Sequence, residues 1–179
     1  MPRKARIKLS DELKDAISDL SEKEKDKLLF RLIPKDPALV DRLSYELLED
    51  ADSPEERRAA LRQEIEDILK KSAAYFYSPG YLLLDLRAIS GGINRHVKTT
   101  KDRYGEIELN LFMLNYSLDL LAGQLKRFGH QKSRTLDTYI IKRAEKLQKL
   151  IYKLHEDNLL DYSDDWDKLT EYIDTIPNL

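Results

Sequence analysis

The chain has 179 residues, of which 41% are apolar and 36% charged, with a formal net charge of −2 and no cysteine. Lack of cysteine excludes disulfides, thiolate metal sites and cysteine nucleophiles. The near-neutral balance argues against a generally basic nucleic-acid or membrane surface. No run of about 18 apolar residues is present, so no membrane span is expected.

The start, MPRKARIKLSDEL, is basic but has no hydrophobic h-region, so no secretory signal is expected. A cytoplasmic protein is the expectation. Three short helices are expected at roughly 10–20, 22–33 and 37–50. Ser10 precedes Asp11-Glu12, and Ser21 with Glu24 matches a capping box. Asp36-Pro37, Ser53-Pro54 and Ser78-Pro79 each place a capping residue before a proline at the first helical position. Proline is tolerated there because that N–H has no helical partner.

Four longer helices follow. The first runs from Pro54 to about Tyr77, with Leu61, Ile65, Ile68 and Tyr75 as its seam. The second runs from Pro79 to about Lys98, with Leu82, Leu86, Ile89, Ile93 and Val97. Gly91-Gly92 interrupts it. Close packing of a neighbouring helix, a kink, or a backbone opened to a ligand near Asp85 and His96 would each account for the pair, and packing or a kink is favoured.

The third long helix organises the rest. Ile107, Leu111, Leu114, Leu118, Leu121, Leu125 and Phe128 recur at 4,3 spacing, a continuous seam at about 100° per residue. Leu109, Met113, Tyr116 and Leu120 form a second apolar face, roughly 200° around the helix. A helix apolar on two opposite faces must be covered on both. It is either central within one domain or meets another chain, and the second set is the candidate interaction face. Gly129 is placed to end this helix with a left-handed cap. The fourth helix is expected at about 134–155, capped by Ser133. A last helix at about 163–175 carries Tyr162, Trp166, Leu169, Ile173 and Ile176.

These elements predict an all-α fold: an antiparallel four-helix bundle of long helices, short N-terminal helices and a docked C-terminal helix. Residues 1–52 form the N-terminal subregion, 53–158 the core and 159–179 the docking helix, in one compact domain.

The segment YFYSPGYLLLDLRAISGGINRHVKTTKDRYGEIELN, residues 75–110, with KDKLLFRLIPKDPALVDRLSYELLE at 25–49, resembles a poorly characterised all-helical bacterial family. Some of its relatives carry a deoxyuridine-triphosphate nucleotidohydrolase name. The all-α nucleoside-triphosphate pyrophosphohydrolases gather Mg²⁺ with an ExxE and an ExxD motif. Glu46 with Glu49, and Glu64 with Asp67, match these formally. In a chain this acidic such spacings arise readily. With a turn at 51–53, Glu64 and Asp67 lie about 15–20 Å up the next helix, so in a simple hairpin the pairs do not converge on one ion.

Charge is unevenly placed. Residues 126–155 hold nine lysines and arginines against two acids, a local +7, and residues 156–179 hold eight acids against one lysine, a local −7. Lys142, Lys146, Lys149 and Lys153 form one stripe at 4,3,4 spacing. It either tracks a polyanion backbone or is neutralised by the acidic helix folding back, and the latter is favoured. His96, His130 and His155 are scattered, so no metal site is expected.

The leading expectation is a non-enzymatic protein-interaction or self-association module without cofactor, its partner a second copy or another protein. The alternatives are a nucleic-acid binder through the lysine stripe and an Mg²⁺-dependent nucleotide hydrolase.

Overall fold

In a computed structural model the described residues are 8–49, 53–153 and 160–176. They are mostly α-helical, with two short 3-10 turns and no strand among them, so the fold is all-α. None of the helices is long and apolar enough to cross a membrane. Contacts divide the chain into two compact units, one ending at Leu48 and the other beginning at Glu49.

The first unit holds α1 (Asp11–Ser18), α2 (Glu22–Leu32) and α3 (Pro37–Leu48), with a 3-10 turn at Ile33–Lys35. Its helices start where capping chemistry places them. Ser10 Oγ accepts from the Leu13 N–H at 3.3 Å. The Glu24 carboxylate accepts from the Ser21 hydroxyl at 2.6 Å and from its N–H at 3.0 Å, and in that order these bonds lower its pKa. Asp36 Oδ1 accepts from the Ala38 and Leu39 N–H groups. No described residue of these three helices is buried.

The second unit holds α4 (Ser53–Ala74), α5 (Pro79–Thr100), α6 (Arg103–Ile151) and α7 (Ser163–Asp174). Helix α6 joins two helical arms across a kink at Gly129, whose φ of 69° and ψ of 161° are not helical. That region is open almost only to glycine. Positive φ at Gly129 was expected, but its ψ is extended, so it is a hinge rather than a left-handed cap. The helix resumes directly after it. Ser133, expected as a cap, therefore lies inside the helix and is buried. Leu154 and His155, placed in this helix by the sequence pattern, lie outside the described residues.

Two other limits also shift. Helix α4 ends at Ala74, not near Tyr77. Tyr75 is thus outside the helix and exposed, and the α4 seam is made by Ile65 and Leu69, with Leu61 and Ile68 partly buried. Ser78 precedes Pro79 as expected, but its side chain makes no capping hydrogen bond. Helix α5 ends at Thr100, not near Lys98, and is capped by Lys101, a non-glycine residue in the left-handed region at φ 61°.

Residues 103–128 of α6 carry the core. Ile107, Leu111, Leu114, Leu118, Leu121 and Leu125 are all buried. Helix α4 meets this arm where Arg62 stacks on the Phe112 ring at 3.7 Å and where Phe76, just beyond α4, meets Phe128 edge-on at 5.7 Å. Helix α5 meets it at Ser90, whose hydroxyl lies 3.8 Å from Met113 Sδ. Residues 130–151 return Tyr139 to within 2.5 Å of that same hydroxyl, and Lys146 to Glu106 at 2.6 Å. Helix α7 docks through fully buried Leu169, with Tyr162, Trp166, Tyr172 and Ile173 partly buried on the same core. Asn115 donates to the Asp165 carbonyl at 2.8 Å, and Lys168 pairs with Asp119 at 2.7 Å.

Candidate functional site

The densest polar cluster sits where α5 turns into α6. Asp102 is the N-cap of α6, its Oδ1 accepting from the Gly105 N–H at 2.8 Å. Its Oδ2 lies 2.9 Å from Arg58 Nε and 3.2 Å from His96 Nε2. Arg58 also donates to Glu108 at 3.1 Å. The His96 and Asp102 side chains are almost wholly buried. Burial pushes the Asp102 carboxyl up, but the His96, Gly105 and Arg58 hydrogen bonds together with the Arg58 charge overcome it and hold the group at about 2. Burial opposes the Arg58 charge, while Asp102 and Glu108 restore it, and its pKa rises. Beside them, burial followed by the Glu108 charge pushes Tyr162 up to about 12.

Gly105 is dictated by this cluster. A Cβ there would stand 2.1 Å from Asp102 Oδ2 and 2.8 Å from Arg58 Nε. The cluster ties α4, the α5–α6 turn and α6 together, and its carboxylates already hold cations. Its chemistry is that of a clamp.

The second feature is a groove of about 480 Å³ between α4 and α5 at the 75–78 turn, walled by Tyr75, Tyr77 and Tyr81 with Asp85 and Ser72 within it. The Asp85 carboxylate lies 2.7 Å from Ser72 Oγ. Tyr77 and Tyr81 meet edge-to-face at 5.3 Å.

The residues singled out by sequence are dispersed. Leu109 and Met113 are fully buried, Tyr116 is partly buried against Phe112 at 5.2 Å, and Leu120 is 36% exposed. Two of the four candidate interaction residues thus belong to this chain's own core. Lys142, Lys149 and Lys153 are exposed, while Lys146 pairs with Glu106. Among the described residues no ion pair joins the stripe to the acids of α7, whose own lysine turns to Asp119 instead. Glu46 pairs with Arg42 and Glu49 with Arg57. Glu64 and Asp67 are exposed, and Asp67 accepts from Gln63. Among the described residues no three His, Asp or Glu side chains gather as an ion would need.

Helix α5 runs unbroken through Gly91-Gly92. A Cβ on Gly92 would sit 3.6 Å from Leu61, an ordinary contact. Neither a kink nor a close approach explains the pair. Asp85 and His96 have separate partners, Ser72 and Asp102. Sequence reasoning missed both the clamp and the groove. The signal for the first was an Asp three residues before a Gly at a helix start, and for the second three tyrosines around Ser78-Pro79.

A scan against models of protein families, a search of curated proteins and a search of solved structures find no match to this chain.

Proposed function

We propose that this chain is a non-enzymatic helical module that associates with another protein or with a second copy of itself, built on an antiparallel four-helix bundle. The bundle reading is supported by contact pairs that run in opposite order along neighbouring helices. Leu61 faces Gly92 while Ser72 faces Asp85, and Glu106 faces Lys146 while Met113 and Tyr139 share Ser90.

One observation carries the interaction reading. The first unit presents Phe30 and Leu47 at 73% exposure and Leu48 at 82%, and buries none of its described residues. Helices of this length are marginal without an apolar face to cover, and exposed apolar surface of this kind marks association. Sedimentation of the full chain across concentration, beside Phe30→Asp and Leu48→Asp, tests it. Mass should rise with concentration or with added partner, and the substitutions should abolish the rise. A strictly monomeric protein whose α1–α3 amides are strongly protected from exchange would overturn the reading.

A second reading, polyanion binding, is favoured by the exposure of Lys142, Lys149 and Lys153 on one face.

A further inference from the structure

Most of the polar and aromatic groups that line the groove at the 75–78 turn favour a cation. Tyr77 and Tyr81 stand nearly perpendicular, at 83°, and form a corner. Tyr75 and Tyr77 leave most of their surface to solvent, yet they lie around the groove. Aromatic faces carry negative charge at the ring centre. Asp85 follows Tyr81 by one helical turn, so the two share a face of α5. Asp85 is partly buried, its one described partner is the neutral Ser72 hydroxyl, and among the described residues no cation reaches ion-pairing distance of it. The carboxylate of the clamp, by contrast, is already taken by Arg58 and His96. Lys71, on the exposed face of α4, also lines the groove. It is the one group there that opposes a cation.

The geometry points to a recognition site for an arginine side chain of a partner protein: the guanidinium lies against the tyrosine corner and directs its fork to Asp85. A planar guanidinium stacks on aromatic faces and meets a carboxylate with two donors, where an ammonium presents a compact, strongly hydrated charge. A volume of about 480 Å³ falls in the range of sites that enclose a small ligand or a side chain with its flanking backbone. The inference rests on the interaction-module reading for the source of the arginine. It adds which surface of the second unit is used and what chemistry it reads.

The test is an NMR titration of the full chain with a blocked Gly-Arg-Gly peptide, its citrulline counterpart and N-methylguanidinium. The arginine peptide should shift amides centred on residues 68–88. It should bind about tenfold better than the neutral, isosteric citrulline peptide and better than N-methylguanidinium. Asp85→Asn and Tyr81→Leu should each weaken it about threefold to fivefold. Lys71→Met should tighten it about twofold, a gain that no loss of folding can imitate. Equal binding of citrulline, shifts centred elsewhere, or weakening by Lys71→Met would overturn the assignment. Binding of N-methylguanidinium with no gain from the peptide would overturn the peptide source. Failure here leaves the sedimentation behaviour of the Phe30 and Leu48 variants untouched, so the two readings fall separately.

Discussion

Asp102 does three jobs at once: it caps α6, pairs with Arg58 and accepts from His96. Its pKa of about 2 lies below the ordinary 3.8. A depressed carboxylate contributes stability that is fully present above its unfolded value and is lost as pH falls through the folded one. Acid should therefore weaken the fold between about pH 4 and 2, and Asp102→Asn should flatten that slope at a cost of about 2 kcal/mol at neutral pH. Chemical unfolding across pH reads both. Gly105→Ala should cost a similar amount by evicting the carboxylate. In an Asp102→Ala background the same change should cost almost nothing or stabilise, because alanine is favoured over glycine inside a helix by about 1 kcal/mol. Additive costs would show that the contact at Gly105 is not what constrains the position. Only the Asp102 cap on Gly105 left a signal in the sequence; the ion pairs left none. Arg58 lies 44 residues before Asp102 and 50 before Glu108, and a lone charge on a helix reads as a solvated face until the fold brings its partner.

The 4,3 seam of α6 was legible because burial on a helix must repeat at its pitch. The second face was legible as apolar but not as to what covers it. Its first two members, Leu109 and Met113, are sealed within the second unit, while Leu120 remains 36% exposed. Leu118→Ala should cost about 2–5 kcal/mol. Leu120→Ala, two residues on, should cost well under that, within about 1 kcal/mol. Urea unfolding of the two variants compares them directly, and equal losses would mean that the two faces are covered alike. The starts of α1, α2, α3 and α5 fall where a capping residue announced them, whereas Ser133 starts no helix and the Asp102 cap of α6 was not read. Most ends were read to within about two residues, and that of α4 is the exception. Ala74 ends α4 before Tyr75, and Tyr75 and Tyr77, left outside the helix, then wall the groove. Gly129 was legible as a break, but not that the helix would resume without a loop.

At the scale of the whole molecule the question is what the two opposed charge blocks do. Helix α7 docks by apolar burial of Leu169 with Trp166 and Ile173 alongside, as its spacing implied. Its polar ties, Asn115 to Asp165 and Lys168 to Asp119, run to residues 103–128 of α6 and not to the lysine stripe. Exposed ion pairs contribute only about 0–1 kcal/mol each, so charge orients this docking more than it holds it. At physiological salt the acids of α7 act on the stripe only within about 8 Å. Truncation after Asn158 removes α7 and unmasks whatever screening it provides, at the cost of exposing the apolar surface on which Leu169 is buried. A fluorescent oligonucleotide is titrated into full-length and truncated protein at low and moderate salt. Binding by the truncated form alone, weakened steeply by salt, is the expected result if the acidic helix masks a polyanion site. Lys142→Glu with Lys149→Glu in the truncated chain should then abolish it. Tight binding by the full-length protein at moderate salt would put the polyanion reading ahead of the interaction module. Binding by neither form would leave the stripe as a solvated face, with Lys146 tied to Glu106 as its one structural member.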